Sequence, residues 1–269
     1  FQLDFAYLVE QAKKEHFNPV IPKARRKTVT TMVICMVVDY GYRFEVGYKA
    51  AVVAGKQEFA DVFMDEWKFI DSKACSEFRI KKLQGYGKED TVAGWKQENE
   101  HGEKIEMGSR NTIYTRTVFH DSAVLKGKFC HDIVLEESGE NEHLIEVIND
   151  SKACLMNGSI QRGNFYIFGT GGNMNKGSKG FKKVYYDTKK ENKFNCKPLF
   201  IPATVFLNPY YAGAVDDTGS LCEDIPNLQH LQPHERVGWS DEVRASEYIK
   251  AEKQKLLNSG DLKEYFDFC

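Results

Sequence analysis

Apolar positions along the chain recur at two spacings, one helical and one strand-like, and their alternation predicts an α/β protein. Phe5, Leu8, Val9 and Ala12 share one face of a helix over Leu3 to Lys14. The short apolar stretch Pro19 to Pro22 reads as a strand. Thr28 to Asp39 carries a dense stripe (Val29, Met32, Val33, Cys35, Met36, Val37) that favours a buried helix, although its β-branching leaves a strand open. Tyr48 to Ala54, rich in Ala and Val between Gly47 and Gly55, suits a buried strand, and helical spacing follows over Gln57 to Phe69. From 78 to 120 the pattern changes. Alternating segments, Phe78 to Lys81 and Asn111 to Phe119, are separated by the charged stretch Gln97 to Glu106 and predict hairpins at an antiparallel edge. Strands at Phe129 to Leu135 and Asn164 to Phe168 then flank a helix over Glu142 to Met156. Phe181 to Tyr186 reads as helix, Pro198 to Ala203 as a last strand and Leu207 to Ser240 as a long loop. Asp241 to Tyr265 reads as a charged helix or helix pair with Ser240 as its N-cap. Strand alternating with helix implies a mostly parallel sheet flanked by helices.

Composition narrows the function classes. The 269 residues are 42% apolar and 28% charged, with 18 Phe and 13 Tyr, which excludes bulk disorder and allows a sizeable core. The longest apolar run, Met32 to Val38, is far shorter than the roughly 18 residues of a membrane span, so a soluble protein is expected. A formal net charge of −2 means that any contact with phosphate or nucleic acid has to be local. The 7 cysteines contain no C-x-x-C pair, which argues against a disulfide framework and a zinc ribbon and fits a reducing cytoplasm. The chain opens on Phe1 without a signal-peptide pattern, as a fragment or the ordered part of a longer protein would.

In open α/β sheets the informative residues follow the strands. Three such places stand out. Lys23-Ala24-Arg25-Arg26-Lys27-Thr28-Val29-Thr30-Thr31 joins a strand to an apolar helix; cations and hydroxyls at a helix N-terminus suit a polyphosphate, and a solvated basic turn is an equal alternative. Asp132 to Gly139 is an apolar strand ending in Glu136 and Glu137. Neighbouring strand residues face opposite sides, so one carboxylate suits a metal-bound water and the other an attacking water. Acidic pairs are also common at ordinary strand exits. Gly169-Thr170-Gly171-Gly172 follows the third strand and allows close backbone approach to a ligand. Gly172 to Lys179 imitates a phosphate loop, but its final pair, Ser178-Lys179, reverses the order that chemistry needs. Lys182, Lys183, Lys189 and Lys190 form a basic stretch suited to a nucleic-acid backbone or simply to solvent. His230, His234 and Cys222 have poor zinc spacing, and no His-Glu-x-x-His or Gly-x-Ser-x-Gly occurs.

Taken in order, the basic Ala-Arg-Arg-Lys loop, the strand ending Glu-Glu-Ser-Gly and the strand with Gly-Thr-Gly-Gly resemble the ATPase domain of a large terminase, the motor that packages DNA into procapsids of tailed bacteriophages. The resemblance covers roughly residues 17 to 206, with the helix after Asp241 as a C-terminal extension (207–269) of a single domain. It implies a P-loop NTPase core with an extra strand between the phosphate loop and the catalytic carboxylate. By the same resemblance, Lys23 to Thr30 form the ATP-binding Walker A segment, Thr30 and Glu136 hold Mg²⁺, and Glu137 is the general base. Gly169, Thr170, Gly171 and Gly172 couple hydrolysis to movement, Phe17 and Pro19 lie where adenine is held, and Lys126 takes the place of an arginine finger given to a neighbouring subunit. Implied partners are double-stranded DNA, the portal protein and the small terminase subunit, in a homo-oligomeric ring in the host cytoplasm with no membrane contact.

The pattern is broken at two points. Aligning Thr30 with the Walker hydroxyl puts Thr28 where a glycine belongs and Val29 where the phosphate lysine belongs. Arg26 or Lys27 is the expected replacement. Lys126 lacks an arginine's bidentate fork, so slow hydrolysis is consistent with it. The chain ends at Cys269, too early for the nuclease domain of such proteins, and no DNA cleavage is expected of it. The alternatives are a ring or structural subunit that binds nucleotide with little catalysis, and another P-loop ATPase such as a helicase-like translocase.

Overall fold

An apolar strand flanked by helical segments on both sides in sequence is built to be covered on both faces, and Lys49–Ala54 is buried from Ala50 onward. The computed structural model in which it lies describes residues 2–23, 29–84, 90–119, 121–170, 178–200 and 242–259. Two compact units divide the chain, Phe1–Phe200 and Ile201–Cys269.

The first unit opens with α1 (Gln2–Glu15) and β1 (Asn18–Pro22). A continuous helical run follows: α2 (Val29–Val33), a π-helical stretch (Ile34–Asp39) and α3 (Tyr40–Phe44). Next come β2 (Lys49–Ala54), α4 (Gln57–Lys73), β3 (Lys82–Gln84), β4 (Asp90–Ala93), β5 (Trp95–Glu98), β6 (Lys104–Met107) and β7 (Thr112–Thr117). The unit continues with β8 (Asp132–Glu136), α5 (Leu144–Ser151), β9 (Met156–Asn157), β10 (Ile160–Gln161), β11 (Asn164–Gly169), α6 (Ser178–Asp187) and β12 (Cys196–Pro198). Of the second unit, α7 (Glu242–Ser259) is the described part. Of the expected strand Pro198 to Ala203, Pro198 ends β12 and Leu199 and Phe200 are not strand, while residues 201–203 and the loop 207–240 lie outside the described residues.

The main sheet has 8 strands in the order β12-β1-β11-β8-β2-β7-β4-β3. Neighbours from β12 to β7 pair in parallel, and β4 and β3 add an antiparallel edge. The mostly parallel sheet, its flanking helices and its antiparallel edge are those expected from the hydrophobic pattern. Between β1 and β8 lies β11, the extra strand that the resemblance implies.

Packing follows the helical stripes. Along α4, Ala60, Phe63, Met64 and Trp67 are buried at helical spacing, and the Trp67 indole N–H donates to Asp39 Oδ1 at 2.9 Å. The same Asp39 and the buried Asp71 accept from Arg43, at 2.7 Å each, which ties α4 to α3. Phe165 and Ile167 of β11 join Val147 and Ile148 of α5 and Phe181 and Val184 of α6 in one apolar cluster. Each such fully buried side chain contributes roughly 1.5–3 kcal/mol.

Three local expectations are corrected. Phe78 to Lys81 is not a strand: Ser76–Phe78 is a 3-10 turn, and pairing begins at Lys82. The charged stretch Gln97 to Glu106 does not separate hairpins but forms one, with Gln97 opposite Ile105. Exposure of both its faces removes the apolar alternation that would have marked it. β7 is more than an edge strand, since it pairs in parallel with β2 on one side and antiparallel with β4 on the other. No described helix is long and apolar enough to cross a membrane. Among the described residues, Cys35, Cys75, Cys130, Cys154 and Cys196 are free thiols.

Candidate functional site

Because β1, β11, β8 and β2 run in parallel, the residues that follow them gather on one edge of the sheet. Lys23 follows β1 and extends its ladder by one bond, its amide donating to Gly169 O at 3.0 Å. Its ammonium donates to Thr30 Oγ1 at 2.8 Å, in the first turn of α2. It also lies 3.6 Å from Glu136 Oε1, 3.4 Å from Glu137 Oε2 and 5.1 Å from the centre of the Phe168 ring. Four residues from three segments of the chain thus converge on one cation, itself only 8% exposed. A charge so enclosed is tolerable only when paired, and here two carboxylates and an aromatic face do so.

Glu136 ends β8 in a buried position. Its Oε1 accepts from Thr30 Oγ1 at 3.5 Å, and its Oε2 has no hydrogen-bond partner among the described residues. Burial pushes its carboxyl up to about 7; the nearby Glu137 and Glu66 carboxylates reinforce the shift and Lys23 opposes it. An orphaned, proton-prone carboxylate oxygen beside a threonine hydroxyl is a hard-oxygen donor set suited to Mg²⁺. That ion uses one or two protein ligands and takes the rest from water and phosphate. Among the described residues, no group of three or more His, Cys, Asp and Glu side chains is arranged to hold a metal ion unaided.

Glu137 departs from strand geometry. Its φ of 47° and ψ of 49° place it in the left-handed region, unusual and costly for a residue with a Cβ. The expectation that the two carboxylates face opposite sides is therefore not met: strand geometry stops at Glu136, and the left-handed turn brings Glu137 to the same ammonium. Thr170 holds it there. The Thr170 amide donates to Glu137 Oε1 at 2.9 Å, and the Thr170 hydroxyl donates to the same oxygen. Gly169 permits this approach, because a Cβ there would lie 2.6 Å from the Ser138 amide nitrogen.

The expected site residues divide into three groups. Lys23, Thr30, Glu136, Glu137, Gly169 and Thr170 are brought together, with Val29 fully buried beside Thr30 at the start of α2. Ala24, Arg25, Arg26, Lys27, Thr28, Gly171 and Gly172 lie outside the described residues. Phe17, Pro19 and Lys126 are not brought to the cluster. Phe17 precedes β1 at the opposite edge of the sheet, about 20 Å of strand from Lys23, with its carbonyl accepting from Asn164 Nδ2 at 2.7 Å. Pro19 is buried within β1 opposite Lys197 of β12. Lys126 is exposed on a turn between β7 and β8, its amide donating to Ala123 O at 2.9 Å.

Two contributors had no readable signal in the sequence. Phe168 is an ordinary strand residue until β1 places Lys23 over its ring. Glu66 is one acid among several on α4, yet it accepts from the Thr31 hydroxyl and adds its field to that of Glu136.

No protein-family model and no curated protein matches the chain. Among solved structures it is similar to a mutant ATPase domain of the Thermus phage P74-26 large terminase, with a TM-score of 0.52 and 8% identity, over 81% of this chain and 88% of that one. It is also similar to the large terminase of a thermophilic bacteriophage in complex with ADP, with a TM-score of 0.51 and 12% identity. That match takes in 74% of this chain and 44% of the other, so the chain spans less than half of that protein. At such identities the likeness is one of fold: the chain folds as the ATPase domains of phage large terminases do.

Proposed function

We propose that the chain is the Mg-ATP-hydrolysing motor domain of a viral DNA-packaging terminase, which moves double-stranded DNA into a procapsid. The observation that carries this reading is the convergence of Lys23, Thr30, Glu136 and Glu137 on the carboxyl edge of the sheet. The ADP held by one structural neighbour supports a nucleotide as ligand.

The roles follow from chemistry. Lys23 supplies the phosphate-facing cation that Val29 cannot, as a point charge already held by backbone pairing to Gly169. Thr30 and Glu136 hold Mg²⁺, which when bound neutralises charge on the phosphate oxygens. Glu137 accepts the proton of the attacking water, and its left-handed backbone and its bond from Thr170 fix the direction in which it points. Gly169 and Thr170 touch both Lys23 and Glu137, so loss of the terminal phosphate is felt in one short segment. Lys126, exposed on its turn, acts in this reading on a neighbouring subunit of a ring. Portal protein and small terminase subunit complete the proposed assembly.

A second reading, a ring subunit that binds nucleotide with little turnover, draws support from Val29, which is fully buried where the phosphate lysine normally sits. Steady-state ATP hydrolysis by the unmodified protein and by Glu137→Gln separates the two. The motor reading expects a fall of about 10²–10⁴-fold with nucleotide binding retained. Hydrolysis untouched by the substitution removes Glu137 from the mechanism, and an unmodified protein that binds nucleotide without turning it over favours the second reading.

A further inference from the structure

The exposed side of α6 is strongly basic. Lys179, Lys182, Lys183 and Tyr186 follow the spacing of one helix face and are all exposed, whereas Ser178, Phe181 and Val184 on the other face are buried. Lys189 and Lys190 continue the exposed charge beyond the helix. Residues 178–193 hold six lysines against Asp187 and Glu191, in a chain whose net charge is −2. Both acids are engaged locally: Glu191 pairs with Lys193 at 2.8 Å, and Asp187 accepts from the Lys193 amide at 2.6 Å. Lys179, Lys182, Lys183, Lys189 and Lys190 have no ion-pair partner among the described residues. The ammonium groups of Lys182 and Lys189 lie over the Tyr186 ring, each 5.9 Å from its centre, so the phenol gathers the cations along one line.

We infer that this face of α6 is a sequence-independent binding surface for the phosphate backbone of duplex DNA, and that it moves with the catalytic turn. The inference rests on the motor reading and names where that motor grips its track. Lysines without arginine forks are point charges, which suit backbone contact better than base readout. A helix of 10 residues spans about 15 Å, close to the width of a major groove of about 12 Å. A membrane surface fits poorly, because an interfacial helix needs its apolar residues exposed and those of α6 are buried. The link to hydrolysis is direct: Ser178 Oγ donates to Gly139 O at 3.2 Å, in the 3-10 turn Ser138–Glu140 that begins immediately after Glu137. Movement of the Glu137 turn therefore carries the first residue of α6.

The experiment compares the full chain with a variant carrying Lys182→Gln, Lys183→Gln, Lys189→Gln and Lys190→Gln, and with a control carrying arginine at the same positions. Affinity for a random-sequence DNA duplex is read across a potassium chloride series, with ATP hydrolysis measured in parallel without DNA. The glutamine variant is expected to bind at least about tenfold more weakly near 0.1 M salt. Its log–log salt slope should be shallower by about 3 to 4, with basal hydrolysis unchanged and the arginine control near the unmodified protein. Unchanged affinity and slope overturn the assignment to α6 while leaving the motor reading in place. So does a variant that loses binding only to phosphatidylserine vesicles or only to an acidic protein. An unmodified protein that hydrolyses ATP through Glu137 but binds no duplex also removes the inference alone, whereas absence of hydrolysis removes the motor reading itself.

Discussion

At the amino ends of the parallel strands, Asn18, Asn111 and Asn164 are buried with their amides spent on backbone groups. The Asn111 side chain donates to Tyr42 O and Glu45 O and accepts from the Tyr48 amide. Asn164 donates to Ala12 O and Phe17 O, and Asn18 bridges Phe194 O and the Phe165 amide. At the carboxyl ends, the buried Glu136 meets the half-buried Lys23 and Glu137: ionisable groups facing one another, with one Glu136 oxygen unpartnered among the described residues and Glu137 in a strained backbone conformation. Both edges bury polar atoms, and they do so for different ends. Neutral amides with completed hydrogen bonds fix chain segments in place, whereas enclosed charges with spare capacity leave room for a ligand of opposite charge.

That contrast is open to challenge by substitution. The largest effect is expected at Lys23→Met, which leaves two neighbouring carboxylates without their shared cation. ATP turnover should fall by at least about 100-fold, and loss of a buried pair should cost about 3–5 kcal/mol of stability unless the glutamates take up protons. Nucleotide titration and denaturant unfolding at pH 6 and pH 8 measure both; retention of tight ATP binding would reassign the phosphate contact to the basic loop. Next comes Asn111→Ala at the opposite edge, expected to cost about 3 kcal/mol by stripping partners from two buried backbone groups and a part-buried one. Turnover per folded molecule should be unaltered, and a change in it would break the division between edges. Gly169→Ala is expected to cost about 1–3 kcal/mol, since its new Cβ meets the turn after Glu137 at 2.6 Å. Here hydrolysis should fall more than nucleotide affinity, which a kcat-against-KM measurement separates.

A pH slope tests the amino edge in another way. Asp132, wholly buried with the Tyr48 hydroxyl 2.7 Å from Oδ2, has its carboxyl pushed up to about 6 by burial. In the unfolded chain the group titrates near about 3.9. Between these values the folded state holds more protons, so stability is greatest below about pH 4 and declines as pH rises to about 6. Asp132→Asn keeps the bond from Tyr48 and should flatten this decline. Urea midpoints from pH 4 to pH 7 test it, and an identical slope in both proteins would assign the dependence elsewhere.

Much of the fold was legible because hydrophobic spacing is local. The stripe that predicted a helix over Thr28 to Asp39 became α2 and the π-helical stretch after it, and the Ala–Val run became β2. The hairpin of β5 and β6 was missed because exposed strands need no apolar alternation. At the site, the Glu-Glu strand exit and the Gly-Thr that meets it were read from order along the chain. The adenine placement of Phe17 and Pro19 follows from the resemblance, through their position just upstream of the basic loop. A strand separates its two ends by its whole length, and Phe17 lies at the end away from Lys23.

The sequence alone determined which residues could bear charge at the strand exits and in what order they occur, because residue chemistry and periodic burial are properties of short segments. Only the tertiary structure decided that Lys23 is the cation shared by Thr30, Glu136 and Glu137, and that α6 rests on the turn beside them. Those choices depend on strand order and on one left-handed residue. Both are set by long-range packing, which balances the whole sheet and its helices at once and leaves no mark in any single stretch of sequence.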